Sequence, residues 1–500
     1  MKDFTVKIGT GYEDLSLYDK AKKWLHERIV LERLFNWFGI LILLALTVLT
    51  SVAIGKTGFE VSVALTILII GVPLAFASLF NLRVGVVIAI ITSFFVLGVK
   101  RLAGDVQLGV LMDVLIVILF FGMFIKQIHE KDWSFADNPI SKIILIWICY
   151  NLFQGGNPSS ESTMAWLYTI RSAAGIMVFY FMLMYAINSK KFITILIYLW
   201  IGLVMLATIY GYIQEFVGLA PFEMRWVMET SERYALLYQA GKFKKFSFFS
   251  DPLVFGFTLA FTSMLCFVLA TGPISRFKKV MYILMGIFML YGMLFSSTRA
   301  AFILPVASLL FITIITLNKK LVIFGLGTIF IGIILLQIPS SNPELVRFQS
   351  AFSPADDPSY QVRVKNQAFI QPYIQTHPFG GGMGATGEWG KKFSPWSPLA
   401  NFPPDSGYIR TAVEMGWVGL FLQLLMIFIV LYVGIKDYFR IRDKLLKSYA
   451  LGMLTVIYCL ALANFPQEAI GQYPISLLFF VAIAIVNKCR QFDEARQQKL

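Results

Sequence analysis

Residues 249–270 read FSDPLVFGFTLAFTSMLCFVLA, and Asp251 is the only charged side chain in this run. Apolar runs long enough to cross a bilayer, about 18 residues or more, recur along the whole chain. Hydrophobic residues make up 57% of the sequence and charged residues only 14%, with a mean hydropathy of +0.71. This composition excludes a soluble protein. Each span must satisfy its own backbone polar groups, and the alternating pattern of a membrane barrel is absent. The sequence therefore predicts an all-α polytopic membrane protein.

The apolar runs predict about 12–14 transmembrane helices. The third and fifth runs are short, and the connection at 296–300 is tight. The predicted spans are 34–54, 59–80, 84–99, 108–125, 140–154, 164–187, 192–219, 249–270, 280–296, 300–317, 321–338, 409–435, 448–464 and 474–487.

A long polar segment between two late spans is the main interruption of this pattern, and it predicts a large external loop domain. The first apolar run begins near Leu34, after a charged leader, so no cleavable signal peptide is predicted. The predicted domains are a cytoplasmic amphipathic segment (1–33), transmembrane helices 1–11 (34–338), a periplasmic loop domain (339–408), transmembrane helices 12–14 (409–487) and a cytoplasmic tail (488–500).

The distribution of lysine and arginine predicts the orientation. Short basic connections at 188–191, 276–279, 318–320 and 436–447 all fall on one side of the predicted membrane, which is typical of the cytoplasmic side. Both termini are then cytoplasmic, and the long segments 220–248 and 339–408 are external. The net charge of +14 reflects this topology and gives no reason to expect nucleic acid as a partner. Segment 220–248 is predicted to be an interfacial helix that contacts either lipid headgroups or a glycan.

Arginine in or beside a membrane span is costly and usually has a partner or a function. Four such arginines fall on the external half: Arg171, Arg299, Arg363 and Arg410. If they converge, their guanidinium groups suit a phosphate or diphosphate. Structural alternatives remain open, namely a buried pair or snorkelling for Arg171, an interface anchor for Arg299, and a pair with Glu414 for Arg410.

Two residues are candidates for a general base. His377 is the only histidine predicted on the external side, and it precedes the glycine cluster at 380–384. Asp405 precedes the span at 409–435. A histidine that caps a turn and an aspartate that caps a helix are the structural alternatives. The four cysteines and three histidines show no spacing typical of a metal site or a disulfide, so no metal or cofactor is expected.

Three motifs resemble the O-antigen ligase/polymerase superfamily of bacterial inner-membrane glycosyltransferases. Residues 295–301 (FSSTRAA) resemble its serine–arginine signature at the end of a span. Residues 376–384 (THPFGGGMG), which follow Arg363, resemble the glycine-rich entry to its large periplasmic loop. Residues 405–419 (DSGYIRTAVEMGWVG) resemble the exit from that loop, and residues 248–256 (FFSDPLVFG) give a fainter match.

The resemblance implies transfer of a glycan from an undecaprenyl-diphosphate carrier to an acceptor hydroxyl, without a metal and with inversion. The acceptor would be lipid A-core or another glycan, and membrane lipids would surround the enzyme. The family's two diphosphate-binding arginines correspond to Arg299 and Arg363, with Arg171 and Arg410 as further candidates. The position of its loop histidine is occupied here by Asp405, which is preferred over His377 as the base.

Ligase and polymerase activity are not separated by the sequence. A lipid-linked glycan transporter is a second class, although no inverted repeat or broken helix pair is visible. A non-catalytic scaffold for glycan assembly is a third.

Overall fold

The computed structural model describes residues 73–103, 109–239, 241–317 and 358–498, together with isolated positions between 41 and 71 and between 323 and 349. The predicted N-terminal segment 1–33 lies outside these residues. So do most of the predicted spans 34–54 and 59–80, half of the predicted span 321–338 and most of the first part of the predicted loop domain.

Within the described part of the chain, ten helices are long and apolar enough to cross a membrane. The prediction of an all-α polytopic membrane protein is therefore confirmed. These helices are α1 (Leu82–Ala103), α2 (Gly109–Glu130), α4 (Thr163–Ala186), α5 (Lys190–Phe216), α8 (Pro252–Thr271), α9 (Arg276–Leu294), α10 (Arg299–Thr316), α13 (Gly407–Arg440), α14 (Lys444–Ala463) and α15 (Ile475–Gln497).

The predicted span 140–154 forms a shorter helix, α3 (Pro139–Phe153). Asn138 caps its start by accepting a hydrogen bond from the Ser141 N–H, and a short 3₁₀ turn at Gln154–Gly156 follows its end. Its 15 residues rise about 22 Å, whereas the hydrocarbon core is about 30 Å thick. This helix is therefore too short to count among the ten.

The centre of the bundle is formed by α8, α14 and α15. In α8, 89% of the most apolar window is buried, against 22% in α9. Phe255, Phe257 and Phe261 of α8 are fully buried in this core. The α9 helix instead exposes large apolar side chains such as Phe277 and Ile287, which in a membrane protein face lipid.

Consecutive spans run in opposite directions, so their connections alternate between the two ends of the bundle. One end bears residues 358–406 and is called the loop side below. At the other end, Asp443 accepts hydrogen bonds from Lys190 at 2.6 Å and from Arg496 at 2.8 Å. Helices α8, α10 and α13 begin at the loop side.

Residues 219–246 form a small lobe on the loop side. It contains α6 (Pro221–Met228), α7 (Ser231–Leu237) and a hairpin of β1 (Tyr238–Gln239) and β2 (Lys242–Phe243). Val227, Leu237 and Phe246 make its core. The prediction of one interfacial helix here is wrong, because the Thr230 side chain caps a second helix and Gly241 turns the hairpin with φ +79°.

The described part of the loop domain contains α11 (Pro358–Thr376) and α12 (Gly387–Phe393). A second small core, made of Ile370, Ala385, Leu399, Phe402 and Val413, joins this segment to the start of α13. The loop domain is thus packed onto the loop side of the bundle.

Candidate functional site

A pocket of about 440 Å³ opens on the loop side between the lobe, the starts of α8 and α10, and α11. Arg299 and Arg363 both line it, although they lie far apart in the sequence. The other charged or amide side chains that line it are Arg233, Gln239, Lys244, Asp251 and Gln467. It is called the arginine pocket below.

A tight turn places Arg299 in the first turn of α10. Ser297 has φ 50°, a left-handed conformation that non-glycine residues rarely adopt. The Ser296 hydroxyl donates to the Met293 carbonyl at 2.7 Å and accepts from the Thr298 N–H at 3.2 Å. The tight connection predicted at 296–300 is therefore this turn, and it aims the N-terminus of α10 and Arg299 at the pocket.

Asp251 caps α8 on the opposite wall. One of its carboxylate oxygens accepts from the N–H groups of Leu253 at 2.9 Å and Val254 at 3.0 Å, and the other accepts from the Ser250 hydroxyl at 2.7 Å. The Thr298 hydroxyl donates to the Pro252 carbonyl at 3.3 Å. These bonds tie the first turns of α8 and α10 to each other. The fainter motif at 248–256 thus lies at the pocket wall.

The lobe contributes a stacked arginine to the pocket. The Arg233 guanidinium lies 4.4 Å from the centroid of the Trp226 ring and donates to Glu229 at 2.7 Å. Arg101, at the end of α1, also lies 4.4 Å from the Trp226 ring and donates to the carbonyls of Ser247 and Ser250, each at 3.0 Å. Arg101 therefore fastens the lobe and the α8 turn to the bundle. Neither arginine was predicted as a site residue from the sequence.

The charges around the pocket favour an anionic guest. Four cationic side chains line it, Arg233, Lys244, Arg299 and Arg363, against the single carboxylate of Asp251. The Asp251 carboxylate is already occupied in capping α8. Guanidinium groups bind phosphate oxygens with paired hydrogen bonds, and a helix N-terminus adds a further positive potential. A phosphate or diphosphate group matches this arrangement.

Arg171 and Arg410 lie in other contacts. Arg171 pairs with Asp113 at 3.0 Å. Arg410 pairs with Glu414 at 3.1 Å and with Glu468 at 2.5 Å. Neither is among the described residues that line the arginine pocket. The i,i+4 pair proposed for Arg410 is the arrangement that the structure shows. Arg171 does form a pair, but its side chain is 42% exposed, so the pair is not the buried one proposed.

The glycine cluster is docked on α13. The N–H groups of Gly381 and Gly382 donate to the carbonyls of Val413 at 2.9 Å and Glu414 at 2.8 Å. The Glu414 carboxylate, itself buried, accepts from the Gly384 N–H at 3.0 Å. It also accepts from the Thr386 N–H at 3.3 Å and from the Thr386 hydroxyl. The cluster therefore serves to bring the loop backbone against the helix.

Gly416 permits this docking by breaking the helical path of α13. Its φ of 71° and ψ of −179° fall in a region that is essentially restricted to glycine. A Cβ at this position would collide with the Pro378 carbonyl oxygen, which accepts a hydrogen bond from the Val418 N–H at 3.3 Å.

We expect Gly416→Ala to lower the free energy of unfolding by about 1–3 kcal/mol from backbone strain alone, with a further cost from the clash with Pro378. Thermal unfolding of the purified protein would measure the change. Gly202→Ala is the matched control, because Gly202 lies inside α5 with no atom near its missing Cβ. Equal melting temperatures for the two variants would contradict this account of the kink.

The two candidate bases lie in different settings. The Nδ1 atom of His377 is 2.9 Å from the Thr376 hydroxyl and 3.0 Å from the Tyr373 carbonyl, and its ring stacks on Tyr373 with centroids 3.9 Å apart. Burial raises the pKa of Tyr373, and nearby Glu161 raises it further. His377 thus closes the end of α11, as the turn-capping alternative proposed.

Asp405 lies one residue before the helix cap, because Ser406 is the N-cap of α13. The capping alternative for Asp405 is therefore wrong by one position. No residue in the described part of the chain holds its half-exposed carboxylate by a hydrogen bond or an ion pair. The neighbouring Ser406 and Gly407 bond to the Asn464 carbonyl at 3.4 and 3.1 Å. Asp405 thus lies beside the connection between α14 and α15, from which Gln467 reaches the pocket.

Residues 284–424 match the family model described as O-antigen ligase. This segment of the chain resembles an O-antigen ligase domain. The matched segment contains the turn before Arg299, Arg363, the glycine cluster and Asp405, so the resemblance suggested by the motifs is confirmed. No curated protein is similar enough to the chain to count as a match.

Members of the matched family are glycosyltransferase-like enzymes of the bacterial inner membrane. The ten apolar helices agree with a multi-pass membrane protein. Within the described residues, no group of three His, Cys, Asp or Glu side chains is placed to hold a metal ion.

Proposed function

We propose that this protein transfers a glycan from an undecaprenyl-diphosphate carrier to an acceptor hydroxyl at the loop side of the membrane. The convergence of Arg299 and Arg363 on one pocket carries the proposal. A membrane enzyme with this substrate class needs a cationic pocket at the membrane surface, where the diphosphate lies while the prenyl chain stays in lipid.

The proposed chemistry is a displacement at the anomeric carbon of the first sugar. The acceptor oxygen forms the new glycosidic bond, the bond between the sugar and the diphosphate breaks, and the acceptor proton passes to a base. Negative charge grows on the leaving diphosphate as that bond breaks. Arg299 and Arg363 stabilise this charge, because preorganised donors act most strongly on the charge that develops in the transition state.

Asp405 is the proposed base. Its carboxylate is not engaged by any described residue, and it lies beside the α14–α15 connection that contributes Gln467 to the pocket. His377 is engaged instead through Nδ1 and by stacking on Tyr373, which supports a structural role. An attack from the face opposite the diphosphate would invert the configuration of the sugar.

We expect Asp405→Asn to lower the rate of transfer by about 100-fold or more, the range typical of losing a general base. His377→Gln is the matched comparison and is expected to retain most of the activity. Transfer of a lipid-linked glycan to an acceptor by purified variants would measure both. Full activity of Asp405→Asn together with loss of activity in His377→Gln would show that His377, and not Asp405, is the base.

The orientation follows the charge distribution. The basic connections 188–191, 276–279 and 436–447 lie at the end of the bundle opposite the loop side. This supports cytoplasmic termini and a periplasmic arginine pocket. The acceptor would then be a periplasmic glycan or lipid A-core.

The glycan profile of cells that lack the gene tests the proposed function. Carrier-linked and acceptor-linked glycans are separated and sized. Long glycan that remains on the carrier would identify a ligase, whereas acceptors that carry a single repeat would identify a polymerase. Repeat units trapped in the cytoplasmic leaflet would instead indicate transport and would contradict the proposal.

A further inference from the structure

A second and larger cavity lies on the side of the bundle away from the arginine pocket. Its volume is about 1210 Å³, and it runs between α8, α9, α10 and the start of α14. This exceeds the roughly 300–1,000 Å³ of ordinary small-molecule pockets. Apolar side chains such as Phe267, Ile287, Leu309 and Ile312 make most of its wall. It is called the apolar groove below.

Three lysines line one end of the groove: Lys279, Lys444 and Lys447. No aspartate or glutamate is among the described residues that line it. The nearest carboxylate in the sequence, Asp443, is already paired with Lys190 at 2.6 Å and with Arg496 at 2.8 Å. Among the described lining residues, the mouth of the groove is therefore cationic and has no carboxylate of its own.

The depth of the groove matches one leaflet. Along α10 its lining runs from Pro305 to Thr316, and along α9 from Leu290 to Lys279. Each stretch rises about 17 Å, close to half of the roughly 30 Å hydrocarbon core. Pro305 lies inside α10 at the inner end of the groove. It has no backbone N–H, so one hydrogen bond of the helix is missing there.

We propose that the apolar groove is a binding site for an anionic glycerophospholipid of the leaflet opposite the loop side. The acyl chains occupy the apolar wall, and the phosphate lies at Lys279, Lys444 and Lys447. Charge complementarity selects this occupant. The prenyl chain of a carrier held at the arginine pocket would enter from the inner end and would bring only neutral carbon to the lysines.

Native mass spectrometry of the full-length protein in detergent tests the site, with phosphatidylglycerol and phosphatidylcholine of the same acyl chains as probes. We expect the wild type to bind phosphatidylglycerol about tenfold more tightly than phosphatidylcholine, as expected for lysines beside an anionic headgroup. The variant with Lys279→Gln, Lys444→Gln and Lys447→Gln is expected to lose this preference. Val306→Trp, which fills the groove, is expected to weaken both lipids.

A second triple variant is the control: Lys191→Gln, Lys278→Gln and Lys436→Gln. It removes the same charge at the same end of the bundle, but none of the three residues lines the groove. It is expected to keep the wild-type preference. An equal loss of the phosphatidylglycerol preference in both triple variants would show that the preference comes from general surface charge, and it would overturn the proposal. Displacement of phosphatidylglycerol by equimolar undecaprenol, a neutral prenyl chain, would assign the groove to the carrier and overturn the proposal.

Discussion

Alanine at Arg299 or at Arg363 is expected to lower the rate of glycan transfer by about 100-fold or more, as is typical when one donor to a developing oxyanion is removed. The two residues line the same pocket from different segments, the first turn of α10 and the body of α11. Each would lose its guanidinium contact with the leaving diphosphate. Initial rates with a purified lipid-linked glycan and its acceptor would measure the loss.

Both side chains are partly exposed, so their removal leaves no cavity in the core. We therefore expect normal protein levels and melting temperatures for both alanine variants. Arg299→Lys and Arg363→Lys separate charge from geometry. A lysine keeps the positive charge but loses the planar fork that binds two phosphate oxygens at once, so partial activity is expected.

Arg225→Ala is the matched control for the arginine variants. Arg225 is exposed on α6, in the lobe that forms one wall of the pocket, but it does not line the pocket. Its loss is expected to leave transfer unchanged. Normal transfer in Arg299→Ala or in Arg363→Ala would contradict the diphosphate assignment, whatever the family of the domain.

The transmembrane architecture could be predicted because the bilayer imposes a simple rule on the sequence. Every span must be about 20 apolar residues long, and the run at 249–270 became α8 (Pro252–Thr271) with a shift of only a few residues. The ends moved because capping decides them. Asp251 and Pro252 start α8 with a capped first turn, a detail that hydropathy does not register.

The ion-pair partners that two of the candidate arginines find on other segments could not be predicted from the sequence. The i,i+4 pair of Arg410 with Glu414 was visible as an alternative, but Glu468, the second partner of Arg410, lies on another segment. The same holds for Arg171 and Asp113. Pairing of this kind depends on which helices pack together, and nothing in the spacing of the residues records it.

The prediction of a single interfacial helix in the lobe at 219–246 failed for a different reason. Aromatic and charged residues at mixed spacing suggested one interfacial helix, yet Thr230 and Gly241 were readable as a helix cap and a turn. The contacts of Trp226 with Arg101 and Arg233 had no such signal, because stacking of cations on an aromatic ring leaves no pattern along the chain.

Glu414→Ala is expected to lower the free energy of unfolding by about 3–5 kcal/mol, the usual cost of removing one partner from a buried charged pair. The side chain of Glu414 is 6% exposed. Its carboxylate holds Arg410 on one side and the N–H groups of Gly384 and Thr386 on the other. Its loss leaves the N–H groups of Gly384 and Thr386 buried without this acceptor and leaves Arg410 with Glu468 as its remaining partner.

Thermal unfolding followed with a thiol-reactive dye would measure this change, because Cys266, Cys459 and Cys489 are buried and Cys149 is exposed. Glu388→Ala is the control, since Glu388 is exposed on α12 in the same loop domain. A loss of stability in Glu414→Ala no larger than in Glu388→Ala would show that the docking of the glycine cluster contributes nothing to the fold.

The double variant Glu414→Ala with Arg410→Ala separates the two roles of the carboxylate. If Glu414 served only to neutralise Arg410, the double variant would be no less stable than Arg410→Ala alone, which already leaves Glu468 without its partner. We expect instead that the double variant is less stable than Arg410→Ala, because the N–H groups of Gly384 and Thr386 still lack their acceptor. The glycine cluster would then detach from α13, and transfer activity would fall even though Arg299, Arg363 and Asp405 are unchanged.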